Sequence, residues 1–174
     1  MGKKDTQAKR YMSDPKHFAD AFNVSVFKGK QVVKADNLLL QEMDPTELGI
    51  IIKDDAKDIV QKVRDVLKKS ILMNDGKTAF LILGIENQSE VHYAMPVKNL
   101  IYDALNYGQQ INKIAALHRK DKDIKYSAEY LSGFKKTDTI MPVITLTIYF
   151  GAKEWDAPRS LKEMFPAHIS EEIR

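Results

Sequence analysis

The sequence predicts an α/β fold, a mixed β-sheet flanked by helices, and three segments predict it. Asn74-Asp75-Gly76-Lys77 joins two strand-like runs, Val66–Met73 and Thr78–Ile85, into a hairpin. Pro96 to about His118 then carries apolar residues at three- and four-residue spacing, as a long amphipathic helix does. Met141–Phe150 follows as a strand with two distinct faces. A hairpin pairs its strands antiparallel, and a helical crossover brings the next strand in parallel, so the two connections together give a mixed sheet.

Taken in order, Met1-Gly2-Lys3-Lys4-Asp5 leads into polar sequence with no secretory apolar stretch. Asp14-Pro15 reads as an N-cap followed by proline at the first helical position. The helix runs to about Asn23 and puts Phe18 and Phe22 on its buried stripe, with Asp20 on another side. Residues 28–62 are hard to read. Gln31-Val32-Val33 suggests a short extended piece. Leu48-Gly49-Ile50-Ile51-Ile52, rich in β-branched residues, is the expected first core strand. Asp54–Lys62 fits a helix or a loop.

The hairpin carries the chemistry. A type I′ turn needs residues that tolerate positive φ, and Asp75-Gly76 supplies them. Centring a two-residue turn there sets Asp65 opposite Glu86, with Gln88 on the same face as Glu86. The strand before Glu86 is apolar on both sides, with Phe80, Ile82 and Gly84 on one and Ala79, Leu81, Leu83 and Ile85 on the other. Such a strand is expected to be central and covered on both faces. Opposed carboxylates at its end repel each other. Either a divalent cation turns that repulsion into shared coordination, or both acids lie past the covered region in water.

Beyond the hairpin, Val97, Leu100, Ile101, Ala104, Leu105, Gly108 and Ile111 form the expected apolar stripe of the long helix. Tyr102 and Tyr107 are expected to pack in the core or on the helix flank with their hydroxyls in water. Lys120–Lys136 is charged and aperiodic, a loop or frayed helix. In the last strand Thr145, Thr147 and Tyr149 share one face, and Ile144, Leu146, Ile148 and Phe150 the other. Ser160-Leu161-Lys162-Glu163 is a capping box opening a short final helix.

A chain of 174 residues fits one domain, spanning 1–174, with room for a real core. Cysteine is absent, which excludes disulfides and thiolate metal sites and suits a reducing cytoplasm. The longest apolar run, Ala79–Ile85, is too short to span a bilayer. The histidines, His17, His92, His118 and His168, are scattered without metal-ligand spacing, and no phosphate-cradling glycine motif occurs. The net charge of +3 is unevenly spread. Residues 1–30 hold seven Lys/Arg against three Asp/Glu, residues 35–58 two against seven, and residues 113–136 seven against three. The last segment includes Lys113, Arg119, Lys120, Lys122 and Lys125. These are either contacts to nucleic-acid phosphates or solvated surface lysines and arginines.

Asp65, a hairpin and then Glu86-Asn87-Gln88 resemble the PD-(D/E)XK nuclease core in its E-x-Q form. More closely, the chain resembles the recombination-promoting nucleases, a group of PD-(D/E)XK nuclease-family transposases. The resemblance runs through Tyr11–Pro15, Phe18–Asn23, Arg64–Leu67, Leu83–Glu90, Tyr93–Val97, Pro142–Leu146, Tyr149–Gly151 and Trp155–Leu161. It implies a restriction-endonuclease-like core and Mg²⁺- or Mn²⁺-dependent cleavage of DNA, with a role in mobile elements or recombination. Asp65, Glu86 and the Asn87 backbone carbonyl would hold the metal, and Gln88 would stand where the wider superfamily has lysine. Asp20 either supplies the extra acid that this fold often carries on its first helix or lies in solvent. A homodimer would let two sites reach two strands. Members of the group usually continue past the Trp155–Leu161 region, so the sequence is expected to be either a trimmed piece or a natural short form. The uncharged Gln88 keeps a second reading open. In it, a catalytically weak or inactive nuclease-fold protein binds DNA or a protein partner, for example as an anti-CRISPR-type inhibitor.

Overall fold

The computed structural model describes residues 3–40, 66–74 and 77–167. Two helices, α1 (Lys3–Ser13) and α2 (Pro15–Ser25), come first. A 3₁₀ turn at Ala35–Asn37 leads into β1 (Leu38–Leu40). The hairpin strands are β2 (Val66–Asn74) and β3 (Lys77–Gln88). A crossover of α3 (Met95–Asp121) and α4 (Ser127–Ser132) delivers β4 (Val143–Tyr149), and α5 (Leu161–Met164) follows.

The sheet is mixed and runs β1-β2-β3-β4. β2 pairs antiparallel with β3 in the register the turn demands, Val66 opposite Ile85 and Asn74 opposite Lys77. β4 lies parallel to β3, with Gly84 opposite Thr145, Glu86 opposite Thr147 and Gln88 opposite Tyr149. β3 is therefore interior, as its two apolar faces require, and it continues past Ile85 through Gln88.

One face of the sheet is covered by α1 and α2. Phe18 and Phe22 are completely buried there, packed with Met12, Ala19, Val33, Leu83 and Ile85, and Ile144, Leu146 and Ile148 of β4 close the cluster. Each phenylalanine contributes about 1.5–3 kcal/mol by leaving water. α2 begins where the sequence puts it, with the Asp14 carboxylate accepting the Lys16 N–H at 2.8 Å and the His17 N–H at 3.4 Å. Asn23, fully buried, accepts the N–H groups of Val32 and Val33 at 3.0 and 2.8 Å and donates to the Val33 carbonyl at 2.9 Å. That fixes Gln31–Val33 against the helix, where the expected extended piece is instead irregular, the Val32 N–H turning back to the Lys30 carbonyl at 2.9 Å. The Lys68 ammonium is buried on this same face, donates to the Ser13 carbonyl at the C-terminus of α1 at 2.6 Å, and lies 5.1 Å from the centre of the Phe18 ring. Burial holds its pKa below the ordinary lysine value, against the pull of Asp14.

Several elements differ from the sequence reading. α1 is a helix in a segment with no strong apolar periodicity, and β1 is a strand of three leucines between polar stretches. The expected strand Leu48–Ile52 and the segment Asp54–Lys62 lie outside the described residues. In 120–136, expected as a loop or a frayed helix, both occur: α4 is a short helix set between loop segments. Of the expected apolar stripe of α3, only Leu105 is buried. Val97, Leu100 and Ile111 are 37%, 50% and 38% exposed, while Tyr102, Leu105, Asn106, Gln109, Gln110 and Ala115 are buried. Polar groups dock this helix. Gln110 accepts the Met141 N–H at 2.6 Å and donates to the Met141 carbonyl at 3.0 Å, imitating a neighbouring strand at the mouth of β4. The Tyr107 hydroxyl oxygen accepts the Val143 N–H at 3.0 Å, so neither it nor the buried Tyr102 matches the expected wet hydroxyl. Among the described residues, no helix is long and apolar enough to cross a membrane.

Candidate functional site

The face of the sheet turned toward α3 holds the candidate site. Side chains alternate along β3, so Ile82, Gly84, Glu86 and Gln88 share this face while Leu83, Ile85 and Asn87 share the other. The parallel register adds Thr145, Thr147 and Tyr149 beside them. β4 thereby shows its polar face to α3 and its aliphatic face to α2, as its alternation predicts.

Glu86 is 6% exposed. It does not lie in water past the end of a strand, because β3 and its pairing with β4 extend beyond it. The Lys98 ammonium, from the first turn of α3, forms an ion pair with Glu86 Oε1. The Gln88 amide donates to the same oxygen at 3.1 Å. Lys98 also stands 6.0 Å from the centre of the Tyr102 ring. Asn99 donates to the Thr147 hydroxyl at 2.9 Å, and the Thr145 hydroxyl donates to Asp103 at 2.5 Å. The first three turns of α3 are thus fastened to the site by three polar contacts. Lys98 was not evident from sequence. Its position in the first turn after Pro96 was the only signal, and the crossover geometry is what brings it to Glu86.

The other expected site residues fall in different places. Asp65 lies outside the described residues; its chain neighbour Val66 pairs with Ile85. Asn87 is buried on the face opposite Glu86. Asp20 is exposed on α2, the helix covering that opposite face, so the described residues do not bring it to Glu86. Lys113, Arg119, Lys120, Lys122 and Lys125 are all exposed along the C-terminal part of α3 and the loop after it. At 1.5 Å per residue, Arg119 stands about 30 Å along the helix from Lys98.

That far end is organised by a histidine. His118 Nδ1 meets Asp123 at 2.8 Å and its Nε2 meets Asp138 at 2.8 Å. Lys135 donates its ammonium to Asp123 at 2.5 Å and its backbone N–H to Asp138 at 2.6 Å. A ring with both nitrogens facing carboxylates is best satisfied as imidazolium. The bond to Asp138 raises the His118 pKa above its ordinary value, desolvation opposes the rise, and the bond to Asp123 adds to it. Asp123 is held low by its bond to Lys135, against desolvation, with help from His118. At Asp138 desolvation works upward, yet the Lys135 N–H and His118 leave it below the usual value.

Among the described residues no group of three His, Asp or Glu side chains gathers to hold a metal. Among the described residues Glu86 is the one buried carboxylate on the α3 face, so the expected metal site would need a second hard oxygen donor, the part given to Asp65. Comparison with protein-family models, with curated proteins and with solved structures finds no match.

Proposed function

We propose that this chain hydrolyses DNA phosphodiester bonds with Mg²⁺ or Mn²⁺, on a restriction-endonuclease-like sheet, as a nuclease of mobile elements or recombination. The observation that carries the reading is Glu86. It is buried at the end of the interior strand, with Gln88 on its own face and a lysine drawn in to neutralise it. A buried carboxylate is costly, and one held on a polar face beside a cleft is a candidate for chemistry. Asp65, from its place before Val66 in the chain, is the proposed second ligand, and the Asn87 carbonyl the third. When bound, the cation would neutralise charge building on the phosphorus and acidify a bound water. Gln88 can orient a water through its amide but brings no charge. Lys98 supplies that charge from the neighbouring helix, poised to pair with the scissile phosphate instead of Glu86. The exposed lysines and arginine near the end of α3 would hold a flanking stretch of the same DNA by its phosphates. A dimer would serve both strands, and action on cellular DNA would place the protein in the cytoplasm.

One observation favours a second reading. The Glu86–Lys98 pair satisfies its own charge, which also suits a protein that keeps the scaffold and acts by binding DNA or a protein. Incubating supercoiled plasmid with wild type and with Asp65→Ala/Glu86→Ala, in Mg²⁺ and in Mn²⁺, separates the two. Nicking lost in the double variant supports hydrolysis. DNA retention in a gel shift with no cleavage in either metal supports the binder. Cleavage that survives both substitutions refutes these ligands.

A further inference from the structure

Beside Glu86 lies a cleft of about 350 Å³, within the range of small-ligand pockets. Its floor is the polar face of β4, Thr145, Thr147 and Tyr149, and its walls are the first turns of α3 and the Trp155–Arg159 segment. Thr147 pairs with Glu86 and Tyr149 with Gln88. The floor therefore starts on the strand next to that of Glu86, one backbone spacing of about 4.8 Å away.

The lining has a specific chemistry. The Trp155 and Tyr149 rings meet edge to face, centroids 5.1 Å apart at 71°. Trp155 is fixed by its indole N–H, which donates to the Ala157 carbonyl at 2.9 Å, and its segment is tied down by Tyr93, whose hydroxyl donates to Asp156 at 3.3 Å. Tyr149 curls over Gly151, where an added Cβ would collide with the phenol ring. Thr147 receives the Asn99 amide, so its own hydroxyl proton remains to donate. Thr145 donates to Asp103, so its oxygen remains to accept. Arg159, exposed and cationic, is among the lining residues. An aromatic wall, a donor and an acceptor on the floor, and a cation at the edge suit a nucleobase with its phosphate.

We propose that this cleft receives one unstacked nucleotide of a DNA strand, adjacent to the phosphate that the Glu86 face addresses. The identity of the ligand rests on the nuclease reading above. The substrate class would then be DNA with unpaired bases, such as ends, flaps or single strands, since a base inside a duplex cannot enter the cleft without being flipped out.

Trp155 is the sole tryptophan of the chain, so its emission reports on the cleft directly. The experiment titrates wild type, Arg159→Ala, Thr147→Val and Gly151→Ala with a single-stranded oligonucleotide and with a blunt duplex of the same length, in EDTA, with circular dichroism confirming each fold. The single strand is expected to quench Trp155 and to bind at least about ten-fold more tightly than the duplex, with each variant losing about five-fold or more. Unchanged emission, equal affinity for both DNAs, or variants binding the single strand as wild type does would each overturn the proposal. Cleavage is scored separately with Glu86→Gln. Cleavage that depends on Glu86 without strand preference leaves the nuclease reading and removes the cleft. Strand-selective binding without cleavage in any metal leaves the cleft and removes hydrolysis.

Discussion

Lys98→Met removes the ammonium beside Glu86 while keeping most of the side-chain volume. Glu86 is 6% exposed, so its carboxylate loses a cation without gaining water. Deleting one partner of a buried pair costs about 3–5 kcal/mol. The Lys98 side chain is 18% exposed, and water reaching the vacated position lowers the expectation to about 2–3 kcal/mol. In a chain of this size about 1 kcal/mol moves Tm by about 2–4 °C, so Tm should fall by about 4–12 °C. Glu86→Gln/Lys98→Met replaces both charges with neutral groups of similar size and should recover most of the loss. Chemical denaturation of wild type, the two single variants and the double variant at neutral pH gives the coupling energy from the cycle. A coupling under about 0.5 kcal/mol, as for an exposed pair, refutes the argument from burial. Metal adds a second arm. If the proposed cation binds Glu86 it must compete with the Lys98 ammonium, so Mg²⁺ or Mn²⁺ should stabilise Lys98→Met more than wild type, the variant gaining about 2.7 kcal/mol at a hundred-fold excess over its own Kd. Equal stabilisation of the two proteins would refute that competition.

The His118 clasp gives stability a pH window. Its raised pKa favours the folded state fully below the ordinary imidazole value of 6.5, and the contribution fades as pH rises through the higher folded value. The lowered Asp123 and Asp138 contribute fully above 3.8 and fade as pH falls through their folded values. Tm should therefore fall on the alkaline side in wild type and lose that slope in His118→Gln; an NMR titration placing the His118 midpoint at or below 6.5 refutes the clasp. Asn23→Ala strands the Val33 N–H, while the Val32 N–H keeps the Lys30 carbonyl at 2.9 Å, and should cost about 1–3 kcal/mol in urea denaturation, a loss under about 0.5 kcal/mol counting against it. Gly133 has φ of +66° and an added Cβ would meet the Ala115 Cβ at 2.7 Å, so Gly133→Ala should destabilise by about 2–4 kcal/mol. Ala115→Gly in the same chain should return the steric share, and no recovery would refute the close approach of α4 to α3.

Legibility from sequence tracked how local each determinant was. The Asp75-Gly76 turn specifies a register with no help from the rest of the chain, and Val66 does pair with Ile85. Asp14-Pro15 sets the start of α2, and the alternation of β4 sorts its faces, because cap and pleat are decided within a few residues. The burial of α3 was not legible. Asn106, Gln109 and Gln110 look like surface residues, and only the Met141 backbone waiting for an amide makes one of them a docking group. Lys98 and the His118 clasp failed for the same reason, since their partners arrive from distant segments. β1 was missed because three leucines carry no period.

The parallel pairing of β3 with β4 has a consequence for biosynthesis. Glu86 meets Thr147 only after the whole crossover has been made. Until then β3 is an edge strand with open backbone groups and the apolar Ile82, Leu83 and Ile85, a template for pairing with other chains. The candidate site cannot exist on a nascent chain that lacks β4, so acquiring it and closing the hazardous edge are one event. A chain ended before Val143 should aggregate as it is made, and soluble monomer from such a truncation would show that β4 is not the closing strand.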